Sequence, residues 1–196
     1  MAGDGQLVQQ GRNFLFYDAA YSSTNAMPTP DAFGTAWGGP FRDVGYSDGG
    51  IGFNVGTTYE DVLVDQEIDP VGVIASGRDI RITAQLAQFT IQNLQAAIGQ
   101  GTTNTVAPSP GVRGYTDLAI GNTINVNYRT AGFEVQRSLG DQESIIGMVW
   151  RGQNRSSVQA TFAANAKTII PYEIQAFPDP NNANRVFTLR DIAPAA

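Results

Sequence analysis

The stretch RDIRITAQLAQFTIQNLQAAIG, residues 78–99, decides the fold class. Its first half alternates strictly. Ile80, Ile82, Ala84 and Leu86 fall on one face, and Asp79, Arg81, Thr83 and Gln85 on the other. An apolar face backed by a polar one at period two predicts a half-buried β-strand over 78–87. The period then changes. Thr90 stands where a helix cap belongs, Ile91, Leu94 and Ile98 recur at helical spacing, and Gly99 supplies a left-handed stop. These signals predict a helix over 90–98, too short to persist alone, so its apolar stripe must pack on a sheet.

Outward from this stretch, β signals dominate. A hairpin is predicted from Phe41–Tyr46 and Ile51–Val55 around a turn at Ser47-Asp48-Gly49-Gly50, because Asp-Gly supplies the backbone that tight turns need. An extended run over Tyr59–Gln66 and a loop over Glu67–Gly72 follow, and Pro70 and Gly72 mark that loop. Further strands are predicted at 123–128, 132–137, 144–152, 157–162, 168–176 and 185–190. Residues 1–20 read as an N-terminal arm bearing Phe14, Phe16 and Tyr17, and residues 21–40 and 100–114 as long Pro/Gly-rich loops. Phe33 and Trp37 within the first loop suggest that it docks on a surface. The expected architecture is one domain over 1–196. It is mainly β, an antiparallel sandwich or partial barrel built from 41–99 and 115–192, with one flanking α-helix.

Composition removes whole classes of chemistry. Of 196 residues, 42% are hydrophobic, enough for a real core, and only 15% are charged, below the share usual in soluble domains. There is no Cys and no His, which excludes disulfides, thiol catalysis, Cys/His zinc sites and a Ser-His-Asp triad. Twelve basic residues against eighteen acidic ones give a net charge of -6, the wrong sign for a general nucleic-acid binder. All the basic residues but Lys167 are Arg, which suits planar hydrogen-bonded subunit contacts. The N-terminus shows no secretory pattern and no apolar run is long enough to span a bilayer. Synthesis in the cytoplasm as a soluble chain is expected.

Individual motifs carry little chemistry. The glycines from Gly49 to Gly56 lack the following helix that a phosphate-binding loop needs. Among Glu60, Asp61, Asp65, Glu67 and Asp69, the same-face pair Asp61 and Asp65 would lie about 13 Å apart along a strand, beyond the roughly 5–9.5 Å of glycosidase carboxylates. The run reads as a solvated or interface-lining acidic edge. Asn154-Arg155-Ser156 is a formal sequon without a secretory signal, and Trp37, Trp150, Tyr172 and Phe177 read as core or interface aromatics. No catalytic residue, metal site or cofactor is expected.

Two longer stretches resemble a known family. DVGYSDGGI (43–51), continued by TTYEDVLVDQEIDPVGVIASGRDIRITAQLAQFTIQNLQAAIG (57–99), and the C-terminal AKTIIPYEIQAFPDPNNANRVFTLRDI (166–192) are similar in order and spacing to the major tail tube protein of long, flexible-tailed bacteriophages. Gln88 stands where that family often carries an acidic residue before the helix. The resemblance implies a homo-oligomer. Six copies would form a ring, each lending strands to an inner barrel, and rings would stack around a tape measure protein. Tail terminator and distal tail proteins would meet the ends of the tube. Phage DNA would later pass through the lumen without specific binding, and the finished protein would reside in the virion tail.

The polar face Asp79, Arg81, Thr83 and Gln85 is then expected toward the lumen, since uncharged and acidic side chains avoid pairing with phosphates. Arg81 would need a neighbouring subunit's carboxylate. Contacts between rings or subunits are expected from Phe14, Phe16, Tyr17, Phe33 and Trp37, and from the loop 66–76 with Glu67, Asp69 and Pro70. The competing readings are the tube of a related injection apparatus or gene-transfer particle, and a phage decoration or binding module with an exposed aromatic platform.

Overall fold

The structure is a computed structural model, and it describes residues 14–30, 32–65, 68–122, 126–136, 144–159 and 167–192. Among these residues ten strands and one helix follow one another: β1 (Phe14–Ala20), β2 (Arg42–Asp43), β3 (Ser47–Val62), β4 (Gly72–Leu86), α1 (Ile91–Ile98), β5 (Thr102–Val106), β6 (Tyr115–Ala119), β7 (Arg129–Gln136), β8 (Ser144–Asn154), β9 (Ile170–Phe177) and β10 (Phe187–Ile192). The protein is mainly β, with antiparallel pairing throughout and a single helix among the described residues, as the sequence predicts.

The main sheet runs β2-β1-β7-β8-β9-β4-β3, and β10 also pairs with β8. Strand β8 serves two sheet halves. Ser144–Val149 pairs with β10 on the edge where Arg151–Asn154 pairs with β9. The sheet therefore bends along β8 and closes over its own apolar face. Phe16 of β1 meets Tyr172 of β9 edge-on at 5.0 Å, and Phe53 of β3 stacks on Phe187 of β10 at 4.3 Å. The core is Phe16, Ile82, Ala84, Leu86, Phe133, Val149, Ile170, Tyr172 and Ile174 with Ala96 and Ala97 of the helix. Each large aliphatic buried there contributes about 1.5–3 kcal/mol.

The helix forms as its signals dictate. Thr90 is extended and its Oγ1 accepts from Asn93 N at 3.1 Å, while Gly99 is left-handed and its N–H donates to Gln95 O at 2.9 Å. Asn93 is fully buried yet satisfied. Its Nδ2 donates to Val44 O and Gln88 O, each at 2.8 Å, and its Oδ1 accepts from Arg42 Nη1 at 2.6 Å. One amide thus fixes the helix start to the chain entering β3.

Several boundaries differ from the sequence reading. Ser47-Asp48-Gly49-Gly50 is no turn. It opens the 16-residue strand β3, and Gly49 and Gly50, at φ of 74° and 91°, form a bulge between Asp48 and Ile51. Asp-Gly-Gly is permissive of positive φ, and a bulge uses that freedom as readily as a hairpin does. The true hairpin is β3–β4, so residues 72–76, expected in a loop, are strand. Residues 100–114, expected to be loop, contain β5, which pairs with β6 in a separate two-stranded sheet. Residues 14–20 form an interior strand between β2 and β7 instead of a free arm, while residues 1–13 lie outside the described residues. The strand expected at 123–128 falls partly outside the described residues, and 126–128 are not strand; the same holds for 157–162, of which 157–159 are irregular.

The loop 21–40 docks, as its aromatics suggest. Trp37 stacks on Tyr17 at 4.2 Å and its Nε1 donates to Glu134 Oε2 at 3.4 Å.

Candidate functional site

The alternation of β4 delivers two different surfaces. Ile80, Ile82, Ala84 and Leu86 are buried, and Asp79, Arg81, Thr83 and Gln85 face outward. Register extends this polar face across neighbouring strands. On β3 it adds Gly52, Asn54 and Gly56, which stand opposite Thr83, Arg81 and Asp79, and on β9 it adds Glu173 and Gln175, opposite Thr83 and Arg81.

A charge network crosses it. Arg81 Nε donates to Asp79 Oδ2 at 2.7 Å, Arg81 Nη1 donates to Glu173 Oε1 at 2.6 Å, and Gln175 Nε2 donates to Asp79 Oδ1 at 2.9 Å. The hydrogen bond to Glu173, then that to Asp79, raise the Arg81 pKa further above its ordinary value. The sequence reading required a neighbouring subunit's carboxylate for Arg81; Asp79 and Glu173 of the same chain supply two. Glu173 and Gln175 were missed although the alternation Ile170, Tyr172, Ile174 against Pro171, Glu173, Gln175 marks them. A shallow depression of about 380 Å³ lies on this face, lined by Asp48, Gly49, Gly50, Thr83, Gln85 and Glu173 among others.

The second feature is the β3–β4 hairpin. Only Arg81–Leu86 of β4 pairs with β9, so the nine residues Gly72–Ile80 and their partners form a two-stranded ribbon beyond the sheet. At 3.3–3.4 Å per residue it projects about 30 Å. Among the described residues β3 pairs with β4 alone, leaving its outer edge open. The ribbon also exposes apolar side chains: Val55, Tyr59, Leu63, Val71, Val73 and Ile74 are each more than half exposed, and Ile68 is 100% exposed.

The residues expected at subunit contacts divide. Asp69 and Pro70 stand exposed at the hairpin tip, while Glu67 lies outside the described residues. Phe16, Tyr17 and Trp37 are buried at 1%, 2% and 8% exposure, so their rings are consumed by the chain's own core and present no face to a neighbour. The physical reason is that β1 is interior to the sheet and the 21–40 loop folds over it. Phe33 is half-buried in that loop, and Phe14 opens β1 opposite Val135.

Buried carboxylates serve the interior. Asp18 is fully buried and accepts from Arg129 Nε at 2.6 Å, from Arg129 Nη2, and from the Tyr172 hydroxyl at 3.3 Å. Burial, reinforced by the Asp18 charge, pushes the Tyr172 hydroxyl well above its ordinary pKa. Glu134, also fully buried, accepts from Ser144 Oγ at 2.8 Å and from Trp37. Both carboxylates are occupied by the chain's own donors and presented to no substrate. Among the described residues no cluster of acidic side chains has the proximity to hold a metal ion, and no helix is long and apolar enough to cross a membrane. Trp37, Trp150 and Tyr172 are buried, so they form no exposed aromatic platform.

Neither a protein-family model nor a curated protein matches the chain.

Proposed function

We propose that the chain is the subunit of a phage tail tube, a structural virion protein that assembles into stacked hexameric rings and forms the conduit for DNA. The observation that carries this reading is the β3–β4 ribbon. A two-stranded ribbon is marginal in water by itself, and an open 16-residue edge with exposed apolar side chains favours pairing with another chain. Six copies that pair edge to edge would close a barrel and cover the open β3 edge, which is the physical solution to this liability.

The polar face fits the same role. The polar face of β4 and its neighbours carries Asp79, Thr83, Gln85, Asn54 and glycines, and its central cation, Arg81, is held by two carboxylates. A surface with its cation already neutralised gives phosphates no counterion release and lets DNA slide past. The chain would assemble around a tape measure protein, with terminator and distal tail proteins at its ends.

Negative-stain electron microscopy of the purified protein at high concentration tests the reading. Rings or tubes with a central hole are expected. Dispersed monomers at every concentration, with and without a co-expressed tape measure protein, would overturn it.

A further inference from the structure

A second surface has chemistry opposite to the rest of this acidic chain. Between the loop after β1, the start of β10 and the turn 179–185 lies an open groove of about 430 Å³ lined by Asn25, Trp150, Asn182, Arg185, Thr188 and Arg190 among others, with no carboxylate among the described residues of its wall. Arg185 lies 5.7 Å from the Trp150 ring, and Trp150 Nε1 is occupied by Thr188 Oγ1 at 2.8 Å. Arg190 Nη1 donates to Pro28 O at 3.0 Å and Thr29 Oγ1 at 2.9 Å, which holds its guanidinium in the groove. Among the described residues neither arginine has a carboxylate within salt-bridge distance.

The turn that carries Arg185 is set in advance. Asp179, fully buried, accepts from Tyr21 Oη at 2.7 Å, Asn182 Nδ2 at 2.7 Å and Asn181 N at 3.0 Å, and its own N–H donates to Arg185 O at 3.0 Å. Such preorganisation lowers the ordering cost of binding. The groove therefore suits an anionic, carboxylate-bearing segment.

The chain itself contains one. From Tyr59 to Gly77 the sequence holds five acidic residues, Glu60, Asp61, Asp65, Glu67 and Asp69, and no basic one. Asp65 and Asp69 stand exposed at the hairpin tip, and no salt bridge among the described residues reaches either. We propose that the Arg185/Arg190 groove of one copy receives the acidic β3–β4 hairpin tip of a second copy. A tip on one surface and a groove on another make a heterologous contact, which closes rings or propagates stacks. The inference rests on the self-assembling reading above and adds to it the receptor for the hairpin.

Two variants test it. Arg185→Glu reverses the groove at an exposed position, and Asp65→Arg with Asp69→Arg reverses the tip. Each variant alone should raise the concentration needed for assembly about tenfold or more, as loss of a charge-complementary contact does. Mixed one to one, they should co-assemble, because each supplies the charge that the other lacks. Monomeric variants with wild-type melting midpoints confirm that folding is intact. If R185E assembles like the wild type, or if the mixture does not recover, the groove is not the receptor although the tube reading stands. If R185E assembles normally but loses affinity for double-stranded DNA, the groove takes phosphates and the inference is overturned. Failure of the wild type to assemble at all defeats the tube reading instead.

Discussion

Arg81 of β4 and Glu173 of β9 are joined by a 2.6 Å hydrogen bond across the polar face, with Asp79 holding the other side of the same guanidinium at 2.7 Å. Two carboxylates against one cation leave this patch net acidic, so a phosphate approaching Arg81 meets two negative charges beside it. The role of Arg81 is therefore internal to the face.

Removing both charges while keeping both shapes exposes the cation. Asp79→Asn with Glu173→Gln should leave the melting midpoint essentially unchanged, since these are partly exposed side chains. The assembled variant should then retain double-stranded DNA at low ionic strength and release it as salt rises. A gel-shift series across salt concentrations checks this. A variant as inert toward DNA as the wild type would mean that Arg81 neutralisation is irrelevant to DNA passage.

The register of the hairpin makes a sharp cut possible. Val62 stands opposite Gly72, and Val71 N donates to Val62 O at 2.9 Å, so the ribbon is already closed at that point. Replacing residues 63–71 with Asn-Gly supplies the two-residue turn that antiparallel strands favour. The shortened chain should fold, with far-ultraviolet circular dichroism and melting midpoint close to wild type, yet form no long tubes. Long tubes from this variant, seen by microscopy, would remove the tip from any role in stacking.

How much of this was legible in the sequence depended on whether one element or two determined the outcome. The face assignment of β4 follows from period two alone, and the helix from Thr90, its apolar stripe and Gly99, so both were readable. The Asp48-Gly49-Gly50 bulge was not, because the same residues satisfy a turn, and only pairing with β4 decides between them. The burial of Phe16 and Tyr17 is not legible locally, because an aromatic N-terminal cluster carries no sign of it; the cluster becomes core when β7 pairs alongside β1. Strand β5 was hidden in a Thr- and Gly-rich run that lacks apolar alternation and is extended through its pairing with β6. The Arg185 groove joins side chains from four separate segments, and no spacing rule connects them.

A close backbone approach fixes the docked loop. A Cβ on Gly132 would fall 2.6 Å from Gly147 O and 2.7 Å from Trp37 Cη2, and the first of these is backbone that moves only at cost. Gly132→Ala should therefore destabilise by about 1–3 kcal/mol, the usual cost of overpacking, and push Trp37 off Tyr17. With Trp150 replaced by Phe so that Trp37 alone emits, the emission should move to longer wavelength. Unchanged emission and stability would show that the sheet accommodates the methyl without disturbing the loop.

Glu134 gives the fold a pH dependence whose sign can be worked out. Burial raises its pKa above the ordinary 4.5, and this outweighs the lowering effect of hydrogen bonds from Ser144, Trp37 and the Gly34 backbone. The folded chain thus holds this proton to higher pH than the unfolded chain does. Between the two values the native state binds more protons, so stability falls as pH rises through that window and is constant above it. Glu134→Gln cannot titrate and keeps an acceptor for Ser144. The midpoint of the wild type minus that of the variant should therefore be largest at acid pH and decline as pH rises above 4.5, while every other group cancels in the difference. Thermal denaturation of the two proteins in matched buffers measures it. A difference that is flat, or that grows with pH, would mean that the carboxylate is folded in as an anion and that its three donors outweigh the loss of water.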